Sequence, residues 1–239
     1  MLSCLDLTWL EDGGSTGQVA DLCASAAAPG EGLPSVAAVC LLPRWVGVAA
    51  EALAGTDVRV ACAVGAFPSG VESPSARAAG IRGALAAGAD EIDTVMDHRA
   101  FLGGRTDDVR TDLETSREAC GGALLKVIVE IGALPTLEHV RAATRLAIDG
   151  GADLVKSSTG RGYPGATPEG VLAMAEAVAA SERPVGVKVA GGVRTPADGL
   201  GYLELVSRSL GPQWRTPERF RLGSSSLLTP LVEAIRAAT

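Results

Sequence analysis

Ala152-Asp-Leu-Val-Lys156-Ser-Ser-Thr-Gly160-Arg-Gly-Tyr163, with Pro168-Glu-Gly and an alanine-rich run to Ala180 behind it, carries three signals in succession. The short apolar run reads as a strand, from Ala152 to Ser157. The Ser/Thr/Gly segment reads as a loop, and proline at the head of an alanine-rich run as a helix start. The next apolar run, Val185 to Ala190, leads through Gly191-Gly192 to a helix from Pro196 to about Leu210, so the unit repeats. Apolar strands separated by helices imply a parallel sheet covered on its outer face.

Outward from this pair, the same alternation runs to both ends. Strands are predicted at Ser3–Thr8, Ser35–Leu42, Val58–Val64, Glu91–Val95 and Ala123–Glu130, and a last one at Phe220–Ser224. Helices are predicted between them at about 15–28, 43–54, 74–88, 107–120 and 137–149, with a closing helix to Ala238. Eight units in 239 residues favour an α/β fold of the TIM (β/α)8 type, one domain over 1–239, with a doubly wound open sheet as the alternative. Gly-Ala-Asp recurs at Gly88-Ala89-Asp90 and Gly151-Ala152-Asp153, each time between a helix and a strand. These lie at strand N-termini, the face of such a barrel that carries stability, and read as a repeated turn.

Hydrophobic residues make up 47% of the chain and aromatics only 3%, so the core must be built from Ala, Val, Leu and Ile. A net charge of −7, without a basic block, disfavours a nucleic-acid partner. Five cysteines are scattered and never spaced Cys-x-x-Cys, which suits free thiols in a reducing cytoplasm. No basic segment precedes an apolar run at the N-terminus, and no apolar stretch reaches about eighteen residues. Neither a signal peptide nor a membrane span is expected.

The sequence has three lysines, Lys126, Lys156 and Lys188, against eighteen arginines, and all three lie inside apolar runs. Arginine is expected to fill the surface, because lysines are almost never buried without a reason. Arginine stays protonated and cannot act as an amine nucleophile, so lysines kept in strands point to amine chemistry. They fall on consecutive predicted strands, each near the C-terminal end, where the working face of a barrel lies, or in the strand middle, and Asp93 falls on the strand before. Adjacent strands are about 4.8 Å apart. Repulsion between two ammonium groups at that range, together with desolvation, is expected to favour the neutral form of one, as a Schiff-base nucleophile requires. The competing reading makes the lysines buried structural partners of Asp6, Asp93 and Glu130.

Gly160-Arg161-Gly162, Gly191-Gly192 and Gly223-Ser-Ser225-Ser226 follow the last three strands, and glycine-rich loops before helices suit a phosphate group. His98 and His139 have no nearby Cys/His partners at ligand spacing, so no metal is expected. The dinucleotide fingerprint is absent, so no nicotinamide cofactor is expected either.

Leu-Leu-Lys126-Val-Ile-Val-Glu, Val-Lys156-Ser-Ser-Thr-Gly, Val-Lys188-Val-Ala-Gly-Gly-Val-Arg-Thr and Gly-Ser-Ser-Ser-Leu-Leu resemble the deoxyribose-phosphate aldolases, class I aldolases of deoxynucleoside breakdown. Asp6-Leu-Thr8, Val-Cys40-Leu-Leu-Pro-Arg, Phe67-Pro68-Ser-Gly70 and Ala-Asp-Glu-Ile-Asp93 extend the resemblance over essentially the whole chain. It implies reversible cleavage of 2-deoxy-D-ribose 5-phosphate to glyceraldehyde 3-phosphate and acetaldehyde. Lys156 would be the Schiff-base nucleophile, Lys188 would lower its pKa and join the proton relay, and Asp93 would be the acid/base partner acting through water. Phosphate would rest on Gly160, Arg161, Gly191, Gly192, Ser225 and Ser226. Lys126, Asp6, Thr8 and Cys40 would support the pocket, and no cofactor would be needed. A homodimer is the family-level expectation. A Schiff-base aldolase for another phosphorylated aldehyde, or a catalytically silent phosphosugar-binding barrel, remain as alternatives.

Arg161 stands where many members have lysine, and Val189 where proline or alanine is usual. Some members carry a tail tyrosine, whereas the tyrosines here are Tyr163 and Tyr202, so a tail-assisted protonation is not expected.

Overall fold

A computed structural model describes residues 1–238. Eight strands, β1 (Leu5–Trp9), β2 (Ala38–Leu41), β3 (Arg59–Val64), β4 (Glu91–Val95), β5 (Leu124–Ile128), β6 (Leu154–Lys156), β7 (Gly186–Ala190) and β8 (Phe220–Ser224), pair in parallel in chain order. β8 returns to β1 with Asp6 opposite Gly223, so the sheet is a closed barrel rather than an open doubly wound one. The helices are α1 (Thr16–Ala27), α2 (Val46–Ala52), α3 (Pro74–Ala86), α4 (His98–Leu102), α5 (Thr106–Cys120), α6 (Leu137–Asp149), α7 (Pro168–Ala179), α8 (Pro196–Leu210) and α9 (Leu228–Ala237). Among the described residues no helix is long and apolar enough to cross a membrane.

Local chemistry explains the helix starts. Ser73, Thr167 and Thr195 accept a backbone N–H at the N-caps of α3, α7 and α8, each with proline directly after. Ser15 with Gln18, and Thr195 with Asp198, close full capping boxes. Several boundaries differ from expectation, and one short helix was not expected. Leu2–Cys4 is a 3-10 turn, so β1 begins at Leu5, and β2 begins only at Ala38. Pro43–Trp45 is likewise a 3-10 turn ahead of α2. The short helix α4 has no apolar period to announce it; the Asp97 carboxylate starts it by accepting from Arg99 N and Ala100 N.

The two faces of the sheet are unequal. Side chains alternate across a strand, and the outward set, such as Val39, Val60, Ile92, Leu125, Val155 and Leu222, forms one apolar layer with the helices. A smaller apolar cluster is made of Leu10, Ala38, Cys40, Ala61 and Ala63. On the same inner face, Asp6, Glu91, Asp93, Lys126, Lys156, Lys188 and Arg221 are all buried. Barrel interiors are commonly filled by bulky branched residues; here charge and small side chains fill the centre.

The repeated Gly-Ala-Asp turn has a common geometry. Gly88 and Gly151 have positive φ, +105° and +97°, where the helix must end sharply. The aspartate that follows accepts a backbone N–H from the strand alongside: Asp90 Oδ2 from Val60 N and Asp153 Oδ2 from Leu125 N, each at 2.8 Å. The turns thus clip neighbouring strands at the end of the barrel away from the charged centre.

Candidate active site

Asp93 on β4 is the hub of the buried charges. Its Oδ1 accepts from Lys126 Nζ on β5, and its Oδ2 from Lys156 Nζ on β6 and Lys188 Nζ on β7, all at 2.8 Å. The register that brings them together sets Asp93 opposite Lys126, and Lys156 opposite Lys188. Lys126 also lies 2.5 Å from Glu91 and 3.7 Å from Asp6. Lys188 lies 2.5 Å from Asp6. Room for the Lys188 chain comes from Gly223, where a Cβ would stand 3.2 Å from Lys188 Cε. The Cys40 thiol points at Asp93 Oδ2 from 3.7 Å.

Two members of this cluster escaped the sequence reading. Arg221 on β8 pairs with Asp6 at 2.6 Å and with Glu91 at 2.9 Å. The expectation that arginine fills only the surface is therefore corrected, and Arg77 adds a second case. Arg77 is 1% exposed, pairs with Asp112 at 2.9 Å and donates to Gly70 O, Val95 O and Thr94 Oγ1. The available signal for Arg221 and Glu91 was a charge at an inward position of a strand, the same signal that marked the lysines. Glu130, named above as a structural partner of the lysines, stands apart from them. It is fully buried and accepts from Thr159 N at 3.1 Å and Thr159 Oγ1 at 2.5 Å, which anchors the loop after β6.

The electrostatics of the cluster favour its ions. Burial disfavours the cations at Lys126 and Lys188, but Asp93 with Glu91, and Asp6 with Asp93, outweigh it and raise both pKa values. Lys126 and Lys188 are therefore held toward their charged forms. Burial opposes ionisation of Asp6 and Asp93, yet the surrounding cations hold both well below the usual carboxylate range. Burial pushes the Cys40 thiol up, with Asp93 adding to it, so it stays protonated.

Above the cluster opens a cavity of about 650 Å³ at the C-terminal ends of the strands. Lys156 lines it, whereas Asp6, Cys40, Asp93, Lys126 and Lys188 lie beneath and do not. Thr8 lines it too, its hydroxyl donating to Asp6 O at 3.0 Å. Gly160, Arg161, Gly191, Gly192, Ser225 and Ser226 all lie on its wall. Their backbone N–H groups differ in readiness. Gly160 N already donates to Ser158 Oγ, Arg161 N to Thr159 Oγ1, and Ser226 N to Ser224 Oγ. Gly191 and Gly192, both with φ near +85°, bring the loop after β7 against the loop after β6; a Cβ on Gly191 would stand 2.8 Å from Gly165 Cα. The Arg161 guanidinium is engaged by Leu10 O and by Glu11. Arg194 also lines the cavity and was not anticipated; among the described residues it has no carboxylate within ion-pair distance. Neither His98 nor His139 reaches this site. His98 is buried against Tyr163 (Nε2 to Oη 3.3 Å), with its pKa lowered by burial, and His139 closes the N-terminus of α6 with Thr136.

The floor of the cavity thus holds a primary amine over a carboxylate, and its wall holds glycine loops and guanidinium groups. Known proteins resemble the chain over nearly its whole length. A protein of Coccidioides immitis, provisionally named a deoxyribose-phosphate aldolase, is 31% identical, with a TM-score of 0.84 over 97% of this chain and 85% of its own. A provisionally named deoxyribose-phosphate aldolase of Toxoplasma gondii is 27% identical, with a TM-score of 0.87 over 99% and 94%. The deoxyribose phosphate aldolase of Aeropyrum pernix, described as a tetramer, is 22% identical at a TM-score of 0.76 over 100% and 92%, and shares the fold. The DeoC/LacD family aldolase profile matches residues 3–203, and the chain belongs to that family.

Proposed function

We propose that this aldolase works through a Schiff base on Lys156 and cleaves 2-deoxy-D-ribose 5-phosphate reversibly to glyceraldehyde 3-phosphate and acetaldehyde. The observation that carries the reading is the Lys156 amine on the cavity floor, 2.8 Å from an Asp93 oxygen that Lys188 shares. The cluster counts four basic side chains (Lys126, Lys156, Lys188, Arg221) against three carboxylates (Asp6, Glu91, Asp93), one positive charge in excess. A reaction that begins from the neutral amine of Lys156 leaves that cluster balanced.

The amine adds to the aldehyde carbon C1, and loss of water gives the iminium. The iminium accepts the electron pair of the C2–C3 bond as it breaks, while the C3 hydroxyl gives up its proton. Glyceraldehyde 3-phosphate leaves, the enamine takes a proton at C2, and hydrolysis releases acetaldehyde and the free lysine. Asp93, held ionised by the surrounding lysines, is placed to accept the hydrogen bond of the Lys156 amine and, through water, to relay protons as the acid/base partner rather than store them. The phosphate would meet the loops after β6, β7 and β8, with Arg161 and Arg194 supplying charge. A homodimer is proposed on the family resemblance alone. A cytoplasmic location draws support from five cysteines that are all free and buried.

Borohydride reduction in the presence of acetaldehyde is expected to leave a two-carbon adduct on Lys156, read by peptide mass. An adduct on Lys126 or Lys188 would reassign the nucleophile. No adduct, with phosphosugar still bound, would make the chain a silent binding barrel. Trapping without cleavage of the deoxyribose phosphate would point to a different phosphorylated aldehyde.

A further inference from the structure

Glu11 follows β1 and Arg161 follows β6, and both line the cavity. β6, β7, β8 and β1 are consecutive around the barrel. The Arg161 side chain therefore reaches across the mouth, past the loops after β7 and β8. Its Nη2 ends between Leu10 O and Glu11 Oε1, 2.8 Å from each. The base of the Arg161 loop is held from below, since Thr159 is bound to the buried Glu130. One of the two guanidinium groups that line the mouth is thus already matched by a carboxylate.

We propose that Glu11 is a specificity-determining residue that weakens the preference of this cavity for a phosphorylated substrate by placing a negative charge beside Arg161. The substrate class rests on the function proposed above. The Glu11–Arg161 pair is exposed, with side chains 68% and 41% accessible. Such a pair is worth little by itself, so an incoming phosphoryl group can draw Arg161 away. The carboxylate stays in the mouth, lining the same cavity as Arg161, and repels the anion.

Glu11→Gln keeps an oxygen for Arg161 to donate to and removes the charge. Titration of the full-length protein with inorganic phosphate is expected to show roughly three- to tenfold tighter binding by E11Q than by wild type at low salt. The gain should fade near 1 M salt, where the screening length is about 3 Å. The ratio of kcat/KM for 2-deoxyribose 5-phosphate over 2-deoxyribose should rise by a similar factor. Unchanged or weaker phosphate binding by E11Q would overturn the proposal, as would a gain that salt leaves untouched, because a reshaped loop rather than charge would then be responsible. The phosphate titration needs no carbon chemistry. Its failure beside a trapped Lys156 overturns the role of Glu11 alone, and its success without trapping overturns the aldolase reading alone.

Discussion

Lys156 touches one carboxylate, and that oxygen is shared with Lys188. Lys126 instead has Asp93 and Glu91 within 2.8 Å, with Asp6 further off. The two lysines should therefore differ in what their loss does to the fold. Lys126→Met takes a cation from Glu91 and Asp93 together in a fully buried site, and breaking a buried pair from one side costs about 3–5 kcal/mol. Lys156→Met takes a cation from Asp93 alone, which keeps Lys126 and Lys188, so it should cost less while abolishing the borohydride adduct. Urea unfolding of both variants measures the difference; equal losses would mean that Lys156 is as much a structural partner as Lys126. All three lysines and Asp93 were legible because a charged residue in an apolar run violates the burial pattern locally. Arg221 and Glu91 violate it in the same way but were hidden by the abundance of arginine and glutamate elsewhere. Glu11 carried no signal at all, because its partner lies 150 residues away.

Among the elements, strand starts depend on the Gly-Ala-Asp turns. Asp153 accepts from Leu125 N and pairs with Arg117 at 2.7 Å, tying β6 to the head of β5. Asp153→Ala removes the acceptor of a buried backbone N–H, and should destabilise the protein by about 1–3 kcal/mol. Because the turn lies at the far end of the strands from Lys156, kcat of the folded variant should stay at the wild-type value. A fall in kcat at full folding would place the turn in contact with the site. The elements themselves were legible from caps, prolines and apolar runs, since these act within a few residues. Where that local chemistry was weak the reading slipped: α4 rests on a single Asp97 cap, and β1 and β2 were drawn too long at their starts, where the chain enters the barrel through turns.

For the molecule as a whole, the buried cluster sets a pH window. Asp6 and Asp93 titrate below their unfolded values, so their contribution is present above about pH 3.9 and is lost as pH falls through the folded values. Lys126 and Lys188 titrate above theirs, so their contribution is present below about pH 10.4 and is lost as pH rises through the folded values. The urea midpoint should be level from about pH 5 to about pH 9.5 as far as these groups are concerned, and fall on both sides. A midpoint that drops steadily from pH 8 to pH 5 would contradict an ionised cluster.

The sequence by itself determined the order of eight strand–helix units and the placing of each lysine on its strand, because apolar period, capping and turn chemistry act between near neighbours. Only the tertiary structure decided that Lys126 and Lys188 are locked as cations, that Lys156 alone of the three faces the cavity, and that Arg161 is matched by Glu11. Those outcomes depend on closure of β8 against β1, which sets Arg221 beside Asp6 across 215 residues of chain. Coulomb energies follow distance in space, and separation along the chain does not supply it.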